Sequence, residues 1–278
     1  MKTILCFGDS NTWAYVPGSD GGRAALDDRW PSVLEATLNT KAGERRAYQV
    51  IAEGLNGRTT VFDDPFSPGR SGIAALPMLL DTHAPLDLVI IMLGTNDTKN
   101  FFGVSAEQIA RGMARLAEAV AVSEAGPVAD SRPLADAGAP VEAVSDAGPG
   151  ADAAVEAVSD AGAVSNPGAG SKARGHAVAA GPIWPPARSV PRLLIVALAP
   201  IGDLNDDMRP HFALQERAMA VSRELAGVYR RLAEEMGTGF FDAAPVAEVG
   251  SDGVHLTVAG QRSLGTVLAG KVREFMGG

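Results

Sequence analysis

Two short segments at opposite ends of the chain hold the residue types of serine acyl-transfer chemistry: Phe7-Gly8-Asp9-Ser10 and Asp252-Gly253-Val254-His255. A serine hydroxyl is a weak nucleophile at neutral pH. An imidazole must take its proton during attack, and that imidazole needs an acceptor on its other nitrogen to fix the tautomer. Ser10, His255 and Asp252 can fill these three roles. The three-residue offset lets one turn present Asp252 and His255 on the same side, with Gly253 supplying the backbone freedom. Each segment alone also reads as an ordinary turn, because Asp and Ser side chains bond nearby backbone groups. Asp9 is read as positioning the nucleophile loop in that way rather than as the base.

Two further segments join them: Glu53-Gly54-Leu55-Asn56-Gly57-Arg58-Thr59-Thr60 and Leu93-Gly94-Thr95-Asn96-Asp97. The second follows Leu86-Asp87-Leu88-Val89-Ile90-Ile91-Met92, an apolar run of strand length, which places Asn96 just past a strand's C-terminal end. In open α/β sheets sites form at that edge. An amide from Asn96 with the backbone N–H groups of Ser10 and Gly57 suits an oxyanion hole. Asn96 as a turn or helix-capping amide is the alternative.

The four segments resemble the signature blocks of the SGNH hydrolase superfamily, also called GDSL esterases. Ser10, Gly57, Asn96 and His255 match its four named residues in order, and Asp252 matches its acidic triad member. Finer features resemble the bacterial arylesterase and acyltransferase branch: Ile4 to Ser10, Thr12-Trp13, Arg58-Thr59-Thr60 with Asp63-Asp64-Pro65 after it, and Leu93 to Lys99. The resemblance implies hydrolysis of short acyl or aryl esters through an acyl-enzyme, with transfer to alcohols or peroxide in some members, and assembly into dimers or larger forms in many. Asn11 departs from the pattern, since many relatives carry leucine after the nucleophile. Asn11, Trp13 and Thr95 are candidate substrate-pocket residues, with loop packing the other reading for Trp13, Tyr15, Phe101 and Phe102.

Competing chemistries lack a motif. The chain has no Gly-x-Ser-x-Gly elbow, Walker loop, Gly-x-Gly-x-x-Gly fingerprint, paired Cys-x-x-Cys or His-Glu-x-x-His helix, so neither a metal nor an organic cofactor is expected. His83, His176 and His211 have no acidic neighbour at the triad spacing. A deacetylase of O-acetylated carbohydrates would use the same triad. A non-catalytic ester or carbohydrate binding module is the rival from another class.

Around these segments the chain alternates short apolar runs with longer amphipathic stretches. That pattern predicts a three-layer α/β/α sandwich with a five-stranded parallel sheet, the flavodoxin-like fold that the resemblance also implies. Strands are expected at Thr3 to Phe7, Tyr48 to Ala52, Leu88 to Leu93, Leu193 to Leu198 and Gly239 to Asp242. Helices are expected at about 29–38, 72–82, 105–122, 213–236 and 257–275. From about 123 to 191 the sequence turns rich in Ala, Gly, Pro, Ser and Asp, and Val141 to Gly148 recurs as Val155 to Gly162. With almost no large apolar residues before Ile183 and Trp184, this stretch is expected to be a flexible low-complexity insertion into a single domain spanning 1–278.

Composition bounds the partners. The 278 residues, 46% of them hydrophobic, can build a sizeable core, and the net charge of −9 does not suit a nucleic-acid binder. No apolar stretch approaches bilayer length. The first strand leaves no room for a cleavable leader ahead of Ser10, so a cytoplasmic enzyme acting on a small ester is expected. The single cysteine, Cys6, lies in that strand and is read as packing. Homo-oligomerisation stays open.

Overall fold

The strands form because β-branched and other apolar residues alternate between two buried faces. In β1 (Lys2–Gly8), Leu5 and Phe7 enter one core cluster while Ile4 and Cys6 enter the other. In β3 (Leu88–Met92) the split is Val89 and Ile91 against Leu88, Ile90 and Met92. Burial on both faces requires helices on both sides of a parallel sheet. The computed structural model describes residues 1–40, 46–127, 189–212 and 214–277.

With β2 (Tyr48–Gly54), β4 (Arg192–Ala197) and β5 (Gly239–Asp242), the sheet has the order β2-β1-β3-β4-β5, and every pairing is parallel. Among the described residues five α-helices cover it, preceded in the chain by a single turn, α1 (Ser10–Trp13). On one face α2 (Trp30–Leu38) packs on α6 (Val258–Met276), placing Trp30, Leu34, Leu264 and Leu268 on the sheet. On the other face lie α3 (Gly72–His83), α4 (Ala106–Ala121) and α5 (Gln215–Met236), through Leu76, Ile109, Met113, Leu225 and Tyr229. This is the expected three-layer α/β/α sandwich. Element ends differ from expectation by one or two residues; α4, for example, starts one residue later, because Ser105 serves as its cap in a reciprocal box with Gln108.

The expected insertion at about 123–191 lies, from 128 to 188, outside the described residues. The chain on either side of that stretch is joined directly. Ser189 N–H and Oγ both donate to the Pro127 carbonyl, at 2.9 and 2.8 Å, and Leu86 N–H donates to the Ala125 carbonyl at 2.7 Å. Among the described residues no helix is long and apolar enough to cross a membrane.

Candidate active site

The order β2-β1-β3 puts the topological switch beside β1, so the loops that leave the C-terminal ends of these three strands converge there. β1 ends at Gly8 and hands over to Asp9, which caps α1 by accepting the Asn11 N–H on Oδ1 at 2.9 Å. Ser10 is therefore the first residue of a tight turn at the sheet edge. Burial pushes the Asp9 carboxyl up to about 6, and the neighbouring charge of Asp97 adds to this against the Asn11 hydrogen bond and His255. Asp9 thus acts locally on the loop, as its position in the sequence indicated.

The loop from β5 to α6 brings in the other partners. Asp252 Oδ1 accepts the N–H groups of Val254 and His255, each at 2.9 Å, which closes the turn. Its Oδ2 sits 2.7 Å from His255 Nδ1, and His255 Nε2 sits 2.9 Å from Ser10 Oγ. With Nδ1–H donating to the carboxylate, Nε2 keeps its lone pair for the serine hydroxyl proton. Burial raises the Asp252 carboxyl, but the bonds from the His255 ring and from the two backbone N–H groups outweigh it and hold the group below its ordinary value. Gly253 makes the turn feasible. Its φ is +77°, and a Cβ there would lie 2.3 Å from the Asp203 carbonyl oxygen of the loop behind it.

Gly57 and Asn96 follow β2 and β3 to the same edge. Asn96 Nδ2 donates to the Arg58 carbonyl at 3.1 Å, which ties the two loops and leaves its second hydrogen uncommitted among the described residues. The N–H groups of Ser10 and Gly57 likewise have no protein acceptor among the described residues. Arg58 braces the edge from beneath: its guanidinium lies 4.2 Å from the centre of the Phe7 ring, and Nη1 donates to the Gly8 carbonyl at 2.8 Å and to that of Glu53. Asp97, fully buried, accepts the Thr60 N–H and hydroxyl.

A scan of family models matches residues 6–263 to a family of GDSL-like lipases and acylhydrolases. The chain belongs to the GDSL-like lipase/acylhydrolase family. Among solved structures, this family member is similar to the native aryl esterase of M. smegmatis, at 35% identity and a TM-score of 0.72, covering 99% of this chain and 100% of that one. A carbohydrate acetylesterase family member from Sinorhizobium meliloti is 33% identical with a TM-score of 0.71, and both chains are covered completely. A lipolytic protein of the G-D-S-L family from Veillonella parvula, 14% identical over 98% of each chain with a TM-score of 0.53, shares the fold. No curated protein matches in sequence.

In this GDSL-like protein the edge opens into a cavity of about 330 Å³ that reaches Ser10, Gly57, Asn96 and His255. None of the three expected pocket residues, Asn11, Trp13 and Thr95, lines it. Asn11 points sideways instead: Oδ1 accepts the Leu256 N–H at 2.9 Å and Nδ2 donates to the Val254 carbonyl at 3.4 Å, fastening the serine turn to the histidine turn. Trp13 packs under the Arg23 guanidinium, 4.8 Å from the ring centre. The Thr95 carbonyl accepts the Thr98 N–H and hydroxyl, closing the short helix that carries Asn96.

The walls come from Tyr15, for which the sequence left a pocket reading open beside loop packing, and from residues that sequence reasoning passed over or set aside. Tyr15 lines the cavity and lies over His255, with ring centres 4.3 Å apart. Met208, His211 and Phe212 arrive on the loop after β4, and Asn56, Ser67, Arg70 and Lys99 on the loops after β2 and β3. Lys99 is paired with buried Asp64 at 2.9 Å, a contact foreshadowed only by the presence of both residues in the resemblance blocks. Phe101 and Phe102 pack on each other and on Phe66 and Phe62, away from the cavity lining. His83 ends α3, with Nε2 2.9 Å from Glu53 Oε1, and His176 lies outside the described residues.

Proposed function

We propose that the protein is a serine carboxylic ester hydrolase in which Ser10, His255 and Asp252 form the catalytic triad. The observation that carries this reading is the unbroken hydrogen-bonded run from Asp252 through His255 to Ser10, at 2.7 and 2.9 Å, opening on the cavity. Ser10 Oγ attacks the ester carbonyl carbon as His255 Nε2 takes its proton, and Asp252 stabilises the imidazolium that results. The negative charge on the carbonyl oxygen is received by the Ser10 N–H, the Gly57 N–H and the Asn96 amide, with one such donor supplying about 2.7–4 kcal/mol of transition-state stabilisation. His255 protonates the departing alcohol, leaving an acyl group on Ser10. Water, deprotonated by His255, attacks that acyl group and regenerates the serine.

Short acyl and aryl esters are the proposed substrates, supported by the modest cavity and by similarity to an aryl esterase. Acyl transfer to an alcohol follows where the acceptor reaches the acyl-enzyme before water does. An O-acetylated carbohydrate is the second reading, favoured by the similarity to a carbohydrate acetylesterase family member and by the polar wall of Asn56 and Ser67. The test is release of p-nitrophenol from p-nitrophenyl acetate by wild type and Ser10→Ala at neutral pH. Turnover is expected in the wild type and should disappear in the variant, while the melting temperature stays near that of the wild type. Turnover that survives the substitution would place the nucleophile elsewhere. Comparing acetylated sugars with aryl acetates then separates the two substrate readings.

A further inference from the structure

The cavity's charge is opposite in sign to that of the chain. The protein carries 33 acidic residues against 24 Lys and Arg, yet among the described residues no carboxylate side chain lines the cavity, while Arg70 and Lys99 do. Lys99 is neutralised by Asp64. Arg70 is not: among the described residues it makes no ion pair, and its guanidinium has one long bond, from Nη1 to the Pro68 carbonyl at 3.3 Å. Its Nε lies 3.5 Å from the point where a Cβ on Gly57 would sit, so the cation covers the residue that supplies a proposed oxyanion donor. Met208, Phe212, Val254 and Tyr15 give the rest of the lining a largely apolar character.

We propose that Arg70 is a specificity-determining residue that selects esters carrying a carboxylate close to the scissile bond. This rests on the esterase reading above. A guanidinium fork binds a carboxylate through two parallel N–H bonds, and a half-enclosed site on the cavity wall screens that attraction less than open water does. Without a carboxylate partner among the described residues, the half-buried Arg70 gains a charged acceptor when the substrate brings one. The carboxylate can sit on either half of the ester, and the two sources are separable.

The test compares pairs of esters that differ only in charge. On the acyl side these are monomethyl glutarate and its amide, methyl 4-carbamoylbutanoate. On the alcohol side they are 4-acetoxybenzoate and 4-acetoxybenzamide. For each pair the ratio of kcat/KM, anionic over neutral, is measured for wild type, Arg70→Gln and Arg70→Lys. In one arm the ratio should fall roughly tenfold or more in Arg70→Gln and be partly kept in Arg70→Lys, which retains the charge without the fork. Taking a ratio cancels any general loss of activity or folding. A ratio within about threefold of wild type in both arms overturns the inference, as does a wild type that turns over p-nitrophenyl acetate but none of the four esters. Failure on p-nitrophenyl acetate itself would instead overturn the esterase reading.

Discussion

Asn11→Ala removes a side chain that fastens the Ser10 turn to the backbone of the His255 turn. Two buried backbone groups then lose a partner: the Leu256 N–H, bonded at 2.9 Å, and the Val254 carbonyl, bonded at 3.4 Å. Leaving a buried donor unmade costs about 1–3 kcal/mol, and the longer bond adds at the low end of that range, so the sum is roughly 2–4 kcal/mol. In a domain of this size that corresponds to a melting temperature lower by on the order of 5–10 °C. The loop does not detach, because Gln261 Nε2 still donates to the Asn11 carbonyl at 2.9 Å. It shifts instead, and displacement of a reacting pair by about 1 Å costs on the order of a hundredfold in rate. The variant should therefore lose kcat by roughly ten- to a hundredfold with little change in KM, since Asn11 is not part of the cavity wall. Thermal unfolding and steady-state kinetics on p-nitrophenyl acetate read both effects. A melting temperature within about 1 °C of wild type together with unchanged kcat would refute the fastening role. A raised KM at constant kcat would return Asn11 to the pocket.

Three other substitutions probe separate contacts around the site. Gly253→Ala forces a side chain into a φ of +77° and against the Asp203 carbonyl, so kcat should drop while the Ser10 turn keeps its fold; wild-type kinetics would show that the turn tolerates a Cβ. Asp64→Ala leaves Lys99, whose side chain is 11% exposed, buried without its counter-charge, and should lower stability by about 3–5 kcal/mol in urea unfolding, with most of it recovered in the double variant that also carries Lys99→Met. Burial pushes Asp97 from 3.8 up to about 6 against its Thr60 hydrogen bonds, so between those values the native state keeps a proton that the unfolded chain has released, and this group's contribution falls as pH rises through the window. Asp97→Asn should flatten the slope of unfolding free energy between about pH 4 and 6, and an unchanged slope would mean that Asp97 does not titrate there.

Residue type and local spacing already determined the pairing of Asp252 with His255 and the layers. Asp252 and His255 belong to one turn, whose hydrogen bonds span two and three residues, so their relation is settled by the local chain. The alternation of apolar residues in β1 and β3 settles which faces are buried, because a strand's side chains repeat every two residues. Asn96 past the end of β3 follows from that strand's length. The meeting of Ser10 with His255, 245 positions apart, was legible only through the resemblance of the blocks.

The roles of Asn11 and of the cavity wall were set by long-range packing. Asn11 follows the nucleophile in sequence, which points to the pocket, but its direction is set by α1 and by the 254–256 backbone arriving from the far end of the chain. Arg70, His211 and Phe212 carry no local signature of a site. Their positions depend on how three loops from different strands converge at one sheet edge, and that convergence is set by strand order and long-range packing rather than by neighbours in sequence.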